Sequence, residues 1–202
     1  MNSRHPHEPD DRCATVMVAS SAGGIESLKA LLGGLDAGLR AAVLVAQHLR
    51  RSRETRIVNI LSPHTTLRVK LAEEGEYPTA GNVYIAPPDH HLCVETGGVL
   101  ALSKGDWVNF ARPAADPLFA SASKSYGPLL IACVLTGTDG DGARGVKVVK
   151  SRGGIVIVED PATAAFRGMP KAAIETGQVD FVCPADEIAP LVKELVERAC
   201  NA

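Results

Sequence analysis

Aromatic side chains are scarce in this 202-residue sequence, which holds four Phe, three Tyr and one Trp. That argues against a stacking platform for single-stranded nucleic acid. Neither sign of charge dominates: 21 Lys and Arg face 23 Asp and Glu, for a net charge of −2. No bulk electrostatic case for a nucleic-acid partner follows. Uninterrupted apolar stretches of about 18 residues, the length a spanning helix needs, are missing. The first residues also lack the charged-then-apolar layout of a signal peptide. A cytoplasmic protein with no membrane insertion is the expectation. Five cysteines (Cys13, Cys93, Cys133, Cys183 and Cys200) are odd in number, scattered and never in C-x-x-C spacing. They read as reduced thiols, with neither a disulfide framework nor a zinc site.

What is present is an ordinary core. A hydrophobic fraction of 46% with 22% charged residues suits a single globular domain of this length. Residues 1–14 are polar and include His5, His7, Pro6 and Pro9, so they read as a disordered tail, leaving 15–202 as the folded domain.

The domain is organised around one junction. The apolar run Val16-Met17-Val18-Ala19 collapses into Ser20-Ser21-Ala22-Gly23-Gly24, and helical spacing follows at once. A buried parallel strand, a tight turn and a helix are expected, the helix stopping near Gly33-Gly34. A helix N-terminus offers unpaired N–H groups and partial positive charge, suited to a phosphate or an oxyanion. The serines there could equally be N-caps.

A second buried strand, 41–48, ends in Gln47-His48. A right-handed βαβ crossover brings both strand ends to one edge of a sheet, where open α/β folds bind ligands. Beside His48, Arg50, Arg51, Arg53 and Arg56 form a basic cluster, read as a solvated face before a short helix over 53–61. Short strands over 67–72 and 82–86 follow, and Thr96-Gly97-Gly98 marks a hairpin between 91–95 and 99–102. The alternation then resumes with a helix over 116–126, the most apolar strand at 129–136 and a glycine-rich turn with Asp139 and Asp141. A helix over 143–150, a strand over 155–158 and helices over 171–176 and 186–199 complete the chain. Asp139 and Asp141 imitate the opening of a calcium loop, but the closing Glu and the preceding helix are missing.

Ser21, His48 and Asp141 therefore sit on three loops at one sheet edge. Hydroxyl, imidazole and carboxylate are the types that make an activated serine. Their order is not that of the α/β-hydrolases, no intact G-x-S-x-G occurs, and no dinucleotide fingerprint stands at the first turn.

Several segments together resemble the catalytic domain of the chemotaxis protein-glutamate methylesterases (CheB). They are Ala19-Ser20-Ser21-Ala22-Gly23-Gly24, Gln47-His48, the stretch from Val83 to His91, Arg112-Pro113, Leu135-Thr136-Gly137 with Asp141-Gly142-Ala143 and Gly145, and Phe166-Arg167-Gly168-Met169-Pro170. The resemblance runs from about Thr15 to Leu195. It implies a Rossmann-like, doubly wound, mostly parallel sheet with helices on both faces and an inserted β-hairpin. It matches Ser21, in preference to Ser20, to the nucleophile, His48 to the general base and Asp141 to its orienting carboxylate. His91 matches a histidine at the active-site edge, and backbone amides around Ala22 and Thr138 would hold the oxyanion.

The activity implied is hydrolysis of methyl esters on glutamate side chains of chemoreceptor cytoplasmic helices, releasing methanol, with deamidation of glutamine as a companion reaction. Neither metal nor cofactor is needed. Ala22 stands where the family usually has Thr, and Thr138-Asp139 where it has Met-Gly; these changes bear on rate more than on reaction type. Full-length relatives carry a phosphorylatable receiver domain that a 14-residue tail cannot supply, so the resemblance implies either regulation by a separate regulatory protein or a domain that is constitutively open. Two other readings are a non-catalytic signalling module that binds receptor segments and, less well supported, a nucleotide-binding regulator.

Overall fold

The computed structural model describes residues 13–49 and 55–201. Its centre is β1 (Ala14–Ser20), in which every residue is buried. Burial on both faces is what a continuous apolar run demands in a parallel sheet. β2 (Ala41–Gln47) pairs with it on one side and β7 (Leu130–Val134) on the other, both parallel. β4 (Asn82–Ile85) and β3 (Arg68–Leu71) extend the sheet beyond β2, while β8 (Ile155–Glu159) and β9 (Phe181–Cys183) extend it beyond β7. The order β3-β4-β2-β1-β7-β8-β9 is parallel at every pairing.

Alternate side chains of each strand feed two separate cores. Val16, Val18, Val43 and Val45 pack with α1 (Gly24–Gly33), α2 (Ile57–Leu61) and α6 (Ala185–Cys200). Met17, Ala19, Leu44 and Ala46 pack on the other face with α3 (Ala115–Tyr126), α4 (Ala143–Ser151) and α5 (Gly168–Ile174). The hairpin β5 (His91–Val94) and β6 (Leu100–Ser103) is a separate antiparallel pair whose Leu92, Val94 and Leu100 join this second core. The expected doubly wound sheet with an inserted hairpin is therefore the fold.

The chain leaves β1 toward β2 and later returns to β1's other side with β7. The order of the sheet reverses there, and such a switch point opens a crevice at the C-terminal strand ends. The loops carrying Ser21, His48 and Asp141 all leave from that edge.

Some boundaries differ from expectation. Three-residue β9 (Phe181-Val182-Cys183) is apolar but too short to stand out as a run, and it carries no buried residue, with Phe181 37% and Val182 48% exposed. α5 begins three residues before the expected Lys171 because Gly168-Met169 is held against the loop after β7, the Met169 amide donating to Gly137 O at 3.0 Å. α2 is confined to Ile57–Leu61, and Arg53, like Arg50 and Arg51, lies outside the described residues. So do His5, His7 and the rest of 1–12. Ala14 already belongs to β1 and Cys13 is buried, so these two residues, expected in the tail, belong to the folded body.

The reading of all five cysteines as thiols needs correction. Cys13 and Cys200, 187 residues apart, form a disulfide, while Cys93, Cys133 and Cys183 are free. β1 begins one residue after Cys13 and α6 ends on Cys200, so the fold brings the two ends together where spacing gave no hint. Burial pushes the Cys133 thiol far above its ordinary range, as expected of an inert core sulfur. A cross-link over so long a loop restricts the unfolded chain strongly, and such bonds contribute about 2–4 kcal/mol. Cys200→Ser is expected to lower the unfolding free energy by about that amount. Urea denaturation of both proteins, with and without reductant, checks this; equal midpoints in oxidising buffer would refute the staple.

Candidate active site

Two serines close β1, and their surroundings separate them. Ser20 is fully buried and donates its hydroxyl to Gln47 Oε1 at 2.7 Å. The Gln47 amide then donates to Ser21 O (2.9 Å) and His48 O (3.1 Å), tying the turn after β1 to the turn after β2. A β-carbon on Gly24 would stand 2.4 Å from Gln47 Oε1, so that position must stay bare for the tie to form. Ser21, by contrast, is only partly buried, and its Oγ lies 3.0 Å from His48 Nδ1.

His48 Nε2 lies 2.8 Å from Asp141 Oδ2. A carboxylate can only accept, so Nε2 carries the hydrogen and Nδ1 is left as acceptor for the Ser21 hydroxyl. The three residues form one unbroken hydrogen-bonded line across three loops. The His48 side chain is 15% exposed and that of Asp141 not at all.

The carboxylate at the closed end of this line is heavily served. Asp141 Oδ2 also accepts the Ala115 amide at 2.5 Å, and Oδ1 accepts Asn109 Nδ2 (2.9 Å), the Gly142 amide (3.0 Å) and the Asp116 amide (3.2 Å). Burial alone would push the Asp141 carboxyl up, but the His48 ring, the Ala115 amide and Asn109 outweigh it and hold the group below its ordinary value. Asp116, also buried, takes the Gly145 amide at 2.8 Å and the other hydrogen of the Asn109 amide at 3.1 Å. Burial, aided by the nearby Asp141 charge, pushes its carboxyl up. Asn109 and Asp116 were not singled out from the sequence. Asn109 lies in a stretch with no periodicity, and Asp116 opens a helix, where an acid is commonplace.

The loop after β7 closes the site from the other side. A β-carbon at Gly137 would meet the Met169 sulfur at 2.1 Å and Ser21 Cβ at 3.0 Å, so only glycine allows this approach. Thr138 follows Gly137, as Ala22 follows Ser21. Among the described residues neither Ala22 nor Thr138 donates its amide to a protein acceptor. Asp139 caps the turn, its Oδ1 accepting the Asp141 amide at 2.9 Å, and its Oδ2 stands 3.4 Å from His48 Nδ1.

His91 is not part of this group. It is 3% exposed on β5, with Nε2 3.0 Å from Asp106 O and Nδ1 accepting the Ala114 amide at 3.2 Å. It braces the loop between β6 and α3. Arg112 braces the same loop, binding Asp89 Oδ1 at 2.7 Å and donating to the Lys104 and Gly105 carbonyls, with its guanidinium 5.7 Å from the Trp107 ring centre.

The family model described as CheB methylesterase matches residues 16–192. The chain belongs to the CheB methylesterase family. A Leptospira interrogans protein provisionally named protein-glutamate methylesterase/protein-glutamine glutaminase is 39% identical over 176 residues, which make up 87% of this chain and 91% of that protein. A Pyrococcus abyssi protein with that name, without qualification, is 38% identical over 185 residues; this chain spans about half of its length. Among solved structures, the CheB methylesterase catalytic domain of Thermotoga maritima superposes with a TM-score of 0.86 at 38% identity, covering 90% of this chain and 98% of that one. The sheet, the inserted hairpin and the strand-edge loops are therefore those of a CheB catalytic domain.

The two buried acids of this CheB domain lead to opposite pH dependences. Asp141, with its pKa depressed, stabilises the fold above the ordinary Asp pKa of about 3.9, and that contribution is lost as pH falls through its lower folded value. Asp116, with its pKa raised, favours the folded state below about 3.9, and that advantage is lost as pH rises through its higher folded value. The stability gap between the parent and Asp141→Asn should thus narrow on acidification, and the gap to Asp116→Asn should widen. Urea titrations across a pH series measure both; parallel trends would contradict the assignment.

Proposed function

We propose that this chain is a serine esterase that removes methyl esters from glutamate side chains of methylated chemoreceptor helices, releasing methanol, and that the same centre deamidates glutamine. The observation that carries the proposal is the unbroken line Ser21 Oγ to His48 Nδ1 (3.0 Å) and His48 Nε2 to Asp141 Oδ2 (2.8 Å) within a CheB-family fold. A module that only bound receptor segments would have no use for it.

In this reading His48 Nδ1 takes the Ser21 proton as Oγ bonds to the ester carbon. The carbonyl oxygen becomes an oxyanion, with the free amides of Ala22 and Thr138 as its donors. As the bond from the acyl carbon to the methoxy oxygen breaks, the proton on Nδ1 passes to that oxygen; methanol departs and the acyl group stays on Ser21 Oγ. Water, deprotonated by Nδ1, attacks the acyl carbon. Ser21 recovers the proton, and glutamate leaves as the free acid, ionised at neutral pH. In glutamine the leaving group is ammonia and the remaining steps are the same. Asp141 keeps the hydrogen on Nε2 and faces the imidazolium that forms.

Asp139 Oδ2 lies on the ring nitrogen that receives the proton. It therefore attracts the imidazolium while repelling the oxyanion. Asn109, through Asp141, is a positioning residue. His91 acts only on the loop that carries Asn109.

Among the described residues no helix is long and apolar enough to cross a membrane. Action in the cytoplasm is part of the same proposal and rests on the receptor helices the chain would act on. The catalytic unit of this proposal is the folded body from Cys13 onward.

The test is methanol release from membranes bearing a methylated chemoreceptor. The parent is expected to release methanol, and Ser21→Ala and His48→Ala to lose about 10⁴-fold or more, because the residues act as a unit. Asp141→Asn should lose about 10³–10⁴-fold through the wrong ring tautomer. Ser20→Ala, which leaves Ser21 facing His48, should retain substantial turnover. A folded parent that releases nothing, or equal release from Ser21→Ala, would refute the esterase reading.

A further inference from the structure

Between β6 and α3 the chain reverses over Val108-Asn109-Phe110-Ala111. The Val108 amide donates to Ala111 O at 3.2 Å and the Ala111 amide to Val108 O at 2.9 Å. Both central residues have positive φ, 49° at Asn109 and 60° at Phe110, as in a type I′ hairpin turn. Asparagine suits the first position, and glycine is favoured at the second. Here the second is a phenylalanine, a bulky side chain in the left-handed region and 96% exposed. Backbone conformation and hydration both disfavour it, and among the described residues none covers it to compensate.

The turn is not a remote one. Its Asn109 amide bonds Asp141 Oδ1 at 2.9 Å, so Phe110 adjoins the residue that anchors the Asp141 end of the site. Trp107, on the same loop, is 46% exposed. At the other end, the Phe166 amide bonds Thr136 Oγ1 at 2.8 Å, and its ring carbon lies 3.3 Å from where a β-carbon of Gly23 would stand, two residues after Ser21. Phe166 is 44% exposed. Three of only eight aromatic residues thus stand exposed on loops bordering the two ends of one hydrogen-bonded line.

We propose that Phe110, with Trp107 and Phe166, is a specificity-determining contact for the polypeptide that presents the ester, an amphipathic helical segment whose apolar side chains flank the modified glutamate. The inference rests on the esterase reading and deepens it. A glutamyl ester hangs on a short side chain, so its carbonyl carbon reaches Ser21 only if the substrate's own backbone comes down onto the mouth. On a helix, the neighbours three and four positions away then meet the loops on either side. Apolar neighbours cover exposed aromatic rings, and this burial supplies binding that a free small ester cannot draw on. The strain at Phe110 is maintained in the free protein and is matched by a contact formed only with substrate.

The experiment compares the parent with Phe110→Gly and Phe110→Tyr on two substrates: a methylated chemoreceptor in membranes and the small ester p-nitrophenyl acetate. Phe110→Gly restores the residue the turn favours, so its Tm is expected to rise. Its selectivity, the ratio of kcat/KM for the receptor to that for the small ester, is expected to fall about tenfold or more, mainly through receptor KM, a loss of the size usual for truncating an interface anchor. Phe110→Tyr, which keeps the ring, should stay within about threefold of the parent. A raised Tm with unchanged selectivity would overturn the proposal and leave Phe110 as a strained turn residue only. A folded parent showing no Ser21-dependent turnover of either substrate would overturn the esterase reading, and this inference with it.

Discussion

A fully buried carboxylate holds the candidate site together. A negative charge removed from water is costly unless donors replace the hydration it loses, and Asp141 has five of them. Two come from the first turn of α3, which has no side-chain cap of its own on Ala114. A third is the Gly142 amide at the start of α4. Two helix N-termini therefore converge on one anion and lend it their unpaired N–H groups and partial positive charge. Asp141 is in effect the missing cap of α3, supplied from 26 residues away. Its place in the reaction and its place in the fold are inseparable, because the same oxygen, Oδ2, binds both His48 and Ala115.

That arrangement explains why so much of the chain around α3 is devoted to one loop. Arg112, Asp89, His91 and the carbonyls of Lys104, Gly105 and Asp106 form a polar frame for residues 104–114. The frame presents Asn109 to two acids at once. An amide with two hydrogens is the neutral group that can bridge Asp141 and Asp116 while donating to both. The inserted hairpin contributes here as well. β5 carries His91, and its apolar residues seat it in the second core, so the frame rests on packed structure and not on a free loop.

The legible parts of the sequence were those where one local pattern determines the outcome. Apolar runs ending in small or polar residues marked β1, β2 and β7, and the positions of Ser21, His48 and Asp141 followed because parallel topology aligns the strand ends. What was not legible depends on pairs distant in sequence. Cys13 and Cys200 lie at opposite ends of the chain and meet only when β1 and α6 are both in place. Asn109 and Asp116 have significance only once Asp141 is buried between them. His91 was matched to the site edge on family resemblance, yet its ring is turned into the brace of the loop, one step removed from His48. β9 escaped because three apolar residues are too short a run to mark a strand, and at the sheet edge Phe181 and Val182 remain exposed.

Asp139 sets two opposing effects of one charge against each other. In the proposed reaction, as Ser21 attacks, positive charge grows on the His48 ring while negative charge grows on the carbonyl oxygen. A carboxylate nearby stabilises the first and destabilises the second. Coulomb energy falls with separation, so the nearer charge weighs more. Asp139 Oδ2 is 3.4 Å from His48 Nδ1, the nitrogen that would receive the proton, and Ser21 Oγ is 3.0 Å from the same nitrogen. In the proposed reaction the attraction acts on the base directly, and amide donors at Ala22 and Thr138 would counter the repulsion at the oxyanion. Within the proposed reaction, the carboxylate that departs from the family's usual glycine is a neighbour of the base, and its effect on rate is the balance of these two interactions.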